Sequence, residues 1–181
     1  NWRVMDEVYK TGPTARLITN YAAGFSRLGF VAMQDPDQTD EAIRLYTLAL
    51  KFAPDYGPAL NGLVAIYAAR LLQPQMALPF AERLVESQPE LTEAWVRYGG
   101  VHLMIAEGYA RQNRNDEAKP HFDEAVEAYE YVLGREPERL DVYAALMTAY
   151  QYLGYADRVN NLMEMWRMYG PGDTAGGAPT Q

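Results

Sequence analysis

Residues 40–54 have the sequence DEAIRLYTLALKFAP, which carries the strongest helical pattern of the chain. Ala42, Tyr46 and Ala49 recur at steps of four and three, which is the spacing of one face of an α-helix. The two acidic residues that open the stretch suit a helix N-terminus, because its dipole and its unpaired N–H groups favour negative charge. Pro54 closes the stretch, since proline does not continue a helix. The stretch therefore predicts an amphipathic helix with small and aromatic residues on one face.

Similar stretches recur along the chain, and a proline closes each of them. The closing prolines lie 35, 48 and 34 residues apart, and they are Pro54, Pro89, Pro137 and Pro171. A period of about 34 residues with two helices in each unit is typical of the tetratricopeptide array. The chain resembles this family over residues 25–171. In the family pattern an aromatic residue, Leu-Gly and a second aromatic mark the first helix, and Ala, an aromatic, Ala and Pro mark the second.

The resemblance divides a domain at residues 14–170 into repeats at about 14–54, 55–89, 90–137 and 138–171. The matching residues are, by repeat, Phe25, Leu28, Gly29, Ala32, Ala42, Tyr46, Ala49 and Pro54; Leu60, Leu63, Val64, Tyr67, Ala77, Ala81, Leu84 and Pro89; Trp95, Tyr98, Gly99, His102, Ala125, Tyr129, Val132 and Pro137; Tyr143, Leu146, Met147, Tyr150, Val159, Met163, Trp166 and Pro171. Repeat two lacks the family glycine, and Pro79 falls within its second helix, where we expect a bend or a late helix start. The resemblance implies an all-α fold, a right-handed α-solenoid of four tetratricopeptide-type helix pairs.

Repeat three is longer than the family period by 14 residues. Its apolar stripe continues on both sides of a polar bend at 111–115, through Ile105 and Tyr109 before it and through Ala118 and Phe122 after it. We therefore expect a helical hairpin that projects about 10 Å beyond its neighbours. The alternative is a disordered loop of 14 residues.

The two ends differ from the repeats. Thr14 is expected to cap a lengthened first helix, after a break at residues 11–13. Residues 1–13 are either a short helix that covers the open end of the array or a linker from another domain. Residues 171–181 carry no large apolar side chain, so we expect a flexible C-terminal tail.

The composition excludes several kinds of partner and site. The 181 residues carry a formal net charge of −8, which disfavours a nucleic-acid partner because such binding relies on clustered Lys and Arg. A protein or peptide segment of apolar or basic character fits better. The chain has no cysteine, which excludes disulfides and thiolate metal sites and leaves cytoplasm and periplasm equally open. The longest apolar run, Leu63 to Ala69, is far below the about 20 residues of a membrane-spanning helix.

The sequence offers few groups for catalysis. His102 and His121 are the two histidines, and no acidic residue accompanies them at the spacing of a metal or catalytic site. His102 replaces a core aromatic and is expected to be buried and hydrogen-bonded, whereas His121 is expected to be exposed. The acidic pairs at Asp40, Asp116 and Asp123 are expected to open helices. Close helix packing, not phosphate binding, is expected for Gly24, Gly29, Gly99 and Gly100. We therefore predict no catalytic residue, no metal site, no cofactor and no enzyme.

Function is then expected to depend on surface shape. In the family that the chain resembles, the first helices line a concave groove that holds a peptide or a partner helix. The resemblance implies a mostly apolar groove formed by Ser26, Phe30, Met33, Asn61, Ala65, Ala68, Val96, Arg97, Gly100, Leu103, Ala144, Thr148 and Gln151. Chaperone-binding members clamp a terminal carboxylate with Lys, Asn and Arg, and only Asn61 and Arg97 are comparable here. A carboxylate clamp is therefore not expected. The alternative occupant of the groove is the protein's own N-terminal segment.

These features predict a scaffold or adaptor that binds a partner segment in the groove and uses the hairpin of repeat three as a second contact. The alternative is a soluble accessory domain of a larger membrane-bound enzyme or complex, an interpretation that rests on the start at Asn1 in place of Met. The sequence leaves the partner and the pathway open, and an oligomer remains an option because exposed ends of such arrays often pair.

Overall fold

The structure is a computed structural model that describes residues 13–169, and the regular elements in this range are all helical. The described range contains eight α-helices, which are α1 (Pro13–Met33), α2 (Thr39–Phe52), α3 (Gly57–Val64), α4 (Pro74–Ser87), α5 (Thr92–Arg111), α6 (Asn115–Arg135), α7 (Leu140–Leu153) and α8 (Ala156–Tyr169). A 3-10 turn (Pro36–Gln38) precedes α2, and a π-helical segment (Ala65–Arg70) continues α3. The all-α prediction is confirmed. The predictions made for residues 1–12 and for the C-terminal tail lie outside the described residues.

Consecutive helices pack in pairs, α1 with α2, α3 with α4, α5 with α6 and α7 with α8. This is the helix-pair pattern that the repeats predict. The chain divides into two compact units, residues 1–89 and residues 90–181. In the first unit α1, α2 and α3 share a core, and in the second α5, α6, α7 and α8 share another.

The core of the first unit is built around Tyr46, whose side chain is 2% exposed. Its ring lies between Gly29 of α1 and Gly62 of α3. A methyl group at Gly29 would come within 3.1 Å of the ring, and one at Gly62 within 2.3 Å. Glycine is needed at such a crossing because it leaves room for the ring to approach the backbone. The family pattern predicts this role for Gly29 but not for Gly62.

The second unit contains an equivalent contact between α5 and α6. Tyr129 is 3% exposed, and a methyl group at Gly99 would lie 3.0 Å from its ring. Gly99 therefore makes the same contact with Tyr129 that Gly29 makes with Tyr46. The expected close packing is wrong for Gly24, because no heavy atom lies within 4 Å of the position that its Cβ would take.

Replacing Gly62 by alanine should lower the free energy of unfolding by about 1 to 3 kcal/mol, the usual cost of overpacking a core. The new methyl group would stand 2.3 Å from the buried Tyr46 ring, and the better helix propensity of alanine, about 1 kcal/mol, offsets part of the cost. Chemical denaturation measures the change. The matched control is Gly24→Ala, which gains the same propensity in open space and should be neutral or slightly stabilising. Equal stability of the two variants would contradict the packing around Tyr46.

The third helix pair accounts for the extra length of repeat three. α5 has 20 residues and α6 has 21, and a turn at residues 112–114 joins them. Asn113 in this turn has a φ of 58°, a left-handed conformation that asparagine tolerates better than most residues. Residues 106–119 are helical except in this turn. The projection of the hairpin beyond its neighbours stays a prediction.

Local expectations for α4 and α1 are refined. Helix α4 begins at Pro74, so a late helix start at Pro79 is wrong, whereas a bend at Pro79 inside the helix stays a prediction. Helix α1 begins at Pro13, which makes Thr14 its second residue and not its cap. Proline suits the first position in both helices, because its missing N–H would have no partner there. Leu28, which matches a core position of the family, is 56% exposed on α1.

Candidate partner-binding surface

The predicted groove residues fall into four sets with one spacing. Each set consists of residues i, i+4 and i+7, which share one face in an α-helix. In the second set Ala65 and Ala68 lie on the π-helical segment, which has more residues per turn, so this spacing does not place them on one face with Asn61. The sets are Ser26, Phe30 and Met33 on α1; Asn61, Ala65 and Ala68 on α3 and its π-helical continuation; Val96, Gly100 and Leu103 on α5; and Ala144, Thr148 and Gln151 on α7. Arg97 lies beside the α5 set.

In the first unit the α1 set offers the largest apolar side chain. Phe30 is 57% exposed, while Met33 is half-buried against the core of the unit. Ser26 and Ala68 are buried, at 5% and 7% exposure, so they present little side-chain surface. Ala65 is half-buried. Within this predicted set, Phe30 is therefore the residue that exposes a large apolar side chain.

Asn61 carries a polar group that nothing in the described range satisfies. Its side-chain Oδ1 is buried and has no hydrogen-bond partner. A buried acceptor without a partner costs about 1 to 3 kcal/mol.

In the second unit the α5 set is apolar and half-buried. Val96 and Leu103 pack partly against the core of the unit, and Gly100 between them leaves the backbone accessible. On α7, Ala144 and Gln151 are exposed. The Thr148 hydroxyl donates a hydrogen bond to the backbone oxygen of Ala144 at 3.0 Å. The two sets thus expose small side chains and leave few polar groups free.

Arg97 is only partly satisfied by its own helix. Its Nη2 lies 2.9 Å from Glu93 Oε1 one turn earlier on α5. Its Nε is buried and has no hydrogen-bond partner. Because Glu93 already holds the guanidinium, Arg97 is a poor candidate for a carboxylate clamp.

The two histidines, 19 residues apart in sequence, meet between α5 and α6. The Nδ1 atoms of His102 and His121 lie 2.9 Å apart, which is a hydrogen bond between the rings. Tyr98 packs on His102 at 4.4 Å between ring centroids, and Tyr109 stacks on His121 at 5.9 Å. His102 is 5% exposed, as the sequence predicts. The prediction for His121 is wrong, because its side chain is half-buried.

The environment of the pair disfavours protonation. Burial lowers the pKa of His102 to about 4, with a further contribution from His121 and an opposing one from Glu124. Burial also lowers the pKa of His121. Two nitrogen atoms at 2.9 Å hold one proton between them, and a second would place two N–H groups face to face. The His102 Nε2 is buried without a hydrogen-bond partner. An N–H group of a protonated ring would therefore find no acceptor at this position.

The acidic pairs mostly hold neighbouring basic side chains. Arg44 donates to Glu41 at 2.6 Å, and Arg114 donates to Glu117 at 2.8 Å. These bonds lower the pKa of both carboxyl groups. The prediction for Asp123 is wrong, because it lies in the middle of α6 and does not open a helix. Within residues 13–169 no three His, Asp or Glu side chains come together as metal ligands.

Comparison with known proteins identifies the fold of this chain. No protein-family model matches the sequence, and no curated protein matches it. The solved structure of MamA AMB-1 matches with a TM-score of 0.57 at 17% identity, over 91% of this chain and 95% of that one. MamA is a tetratricopeptide-repeat (TPR) protein. The chain has the TPR fold.

Two further structures with the TPR fold are similar. MamA MSR-1 matches with a TM-score of 0.54 at 17% identity, over 93% of this chain and 97% of that one. YrrB, described as a TPR protein with an unusual peptide-binding site, gives a TM-score of 0.46 at 17% identity over 96% of this chain and 93% of that one. At such identities the likeness to the two MamA structures establishes the fold alone, and the partner has to be argued from the residues of this chain. None of the helices within residues 13–169 is both long and apolar enough to span a bilayer.

Proposed function

We propose that this chain is a protein-interaction scaffold that binds a partner segment along the first helices of its TPR helix pairs. The observation that carries the proposal is the apolar face of α1, where Phe30 is 57% exposed beside the half-buried Met33. Covering such side chains is favourable because it removes apolar surface from water. A partner helix that lays its apolar face into an apolar groove is a common recognition mode.

The remaining sets favour close approach of the partner backbone. Gly100 and Ala144 carry little or no side chain, so a partner main chain can come near α5 and α7. Together with the net charge of −8, these features favour a segment with apolar side chains and neutral or basic flanks.

The tip of the α5–α6 hairpin is the second contact surface that we propose. Residues 111–117 are all exposed. Residues 112–114 form the turn, and the others lie on the adjoining ends of α5 and α6. Arg114 is held here by Glu117 and also stacks on Tyr109, with its Cζ 4.5 Å from the ring centroid. This network orders a polar tip, which suits a contact that adds specificity more than affinity.

The test uses peptides selected on the full chain from a random library of about 12 residues. Phe30→Asp and Leu103→Asp should each weaken binding of the selected peptides by about tenfold or more, a cost of about 1.4 kcal/mol. The new carboxylate removes apolar contact and has to be desolvated when the partner binds. Fluorescence polarisation measures the affinity, and circular dichroism checks that the fold is kept.

Val31→Asp is the matched control for Phe30→Asp. Val31 is 66% exposed on the same helix but lies outside the predicted groove set, so its replacement should leave peptide affinity unchanged. Equal losses at Phe30 and Val31, or no loss at Phe30 and Leu103, would remove the α1 and α5 faces from the binding surface.

A further inference from the structure

The last described helix pair contains an apolar pocket that the predicted groove does not explain. The pocket has a volume of about 340 Å³, lies open to solvent between α7 and α8, and is lined by Tyr143, Ala144, Met147, Met163, Trp166 and Arg167. Trp166 meets Tyr143 edge to face, at 5.6 Å between ring centroids. Tyr143 is fully buried, and its hydroxyl donates to the backbone oxygen of Pro137 at 2.8 Å. The floor of the pocket is therefore fixed.

The walls of the pocket leave large apolar side chains partly exposed. On α8, Met163 is 40% exposed and Trp166 is 39% exposed. Methionine side chains adapt to the shape of an inserted group, and tryptophan gives a large contact area. These walls suit one bulky apolar side chain.

The rim of the pocket is positively charged. Arg167 is the one charged residue among the described residues that line the pocket, and it has no ion-pair partner within residues 13–169. By contrast, Arg158 of the same helix is held by Glu130 at 2.6 Å. A free guanidinium beside an apolar cleft favours a ligand that places a carboxylate next to its apolar anchor.

From this charge complementarity we infer that the pocket binds a partner protein segment in which a bulky apolar anchor lies within one helical turn of Asp or Glu. Residues 170–181, GPGDTAGGAPTQ, do not supply such an anchor, because they contain no large apolar side chain. The pocket serves the scaffold role proposed above, and it specifies the partner chemistry at one end of the second unit. The pocket shares Ala144 with the predicted groove, and its other lining residues lie outside that groove.

The experiment selects random peptides of about 12 residues on the wild-type full chain after depletion on the Arg167→Glu protein. Peptides that remain depend on Arg167, whereas peptides that need only the α1 and α5 faces are removed. We expect the remaining pool to be enriched in Phe, Leu or Trp within four residues of Asp or Glu. Changing that acid to Lys should weaken binding to the wild-type chain by about tenfold or more, and Arg167→Glu should restore part of the loss.

Arg16→Glu is the matched control, because it makes the same charge change on α1 in the other unit and should leave the affinity of these peptides unchanged. An empty pool after depletion, or equal binding of the acidic and lysine peptides, would overturn the inference. So would tenfold tighter binding after deletion of residues 170–181, which would make the tail the occupant. Self-association that Arg167→Glu abolishes would assign the pocket to a second copy and would also overturn it. The effect of Phe30→Asp on peptide binding tests the proposed function and does not test this inference.

Discussion

Replacing Tyr129 by alanine should lower the free energy of unfolding by about 3 to 5 kcal/mol, the range observed for large aromatic side chains removed from a core. The ring is 3% exposed and fills the crossing of α5 and α6, against Gly99 and Gly100. Both partners are glycines, so no neighbouring side chain on that face can expand to fill the cavity. Chemical denaturation followed by circular dichroism measures the loss.

Two companion variants make this prediction specific. Tyr129→Phe keeps the ring and should cost about 1 kcal/mol or less. Tyr46→Ala removes the equivalent ring of the first unit, which is 2% exposed between Gly29 and Gly62, and should cost about as much as Tyr129→Ala. If Tyr129→Ala cost no more than Tyr129→Phe, the ring would not occupy the crossing as described.

Lowering the pH from 7 to 5 should reduce the free energy of unfolding by about 2 kcal/mol through His102, because each unit of pKa difference corresponds to about 1.4 kcal/mol. The folded-state pKa of His102 is lowered to about 4 from the ordinary value of 6.5. The unfolded chain therefore binds more protons between these values, and stability falls as the pH drops from 6.5 toward 4. The lowered pKa of His121 acts in the same direction.

The pH window separates the histidines from the acids. The carboxyl groups whose pKa is lowered, including Glu41 and Glu117, stay ionised above pH 5 and contribute below it. His102→Gln keeps a hydrogen-bonding group near His121 but does not titrate, so between pH 7 and pH 5 it should lose about 2 kcal/mol less stability than the wild-type chain. The slope that remains comes from His121, whose pKa is lowered by its own burial. Denaturation at several pH values gives both profiles. An equally steep profile in His102→Gln would show that other groups cause the loss.

The sequence predicted the helix pairs because their signals are local. Ala42, Tyr46 and Ala49 recur at helical spacing, and all three are buried in α2. Gly29 was also predictable, since the family pattern marks it as a small residue at a crossing. These features depend on neighbours within one repeat, which a sequence shows directly.

Other features depend on how one helix is rotated against the next, and the sequence does not show this. Gly62 falls two positions before the family glycine position in repeat two, so only the structure identifies its contact with Tyr46. The bond between His102 and His121 requires the register of α5 against α6. The pocket beside Trp166 was missed because its aromatic residue matches a core position of the family, yet it is 39% exposed.

We propose that the first helices of the TPR fold hold a segment of another protein, and an NMR titration of the full chain with a selected peptide tests this binding mode by mapping which amide and methyl signals move. We expect the largest shifts on α1, α3 and α5, around Phe30, Asn61 and Leu103. Shifts confined to the second helices α2, α4 and α6 would contradict it.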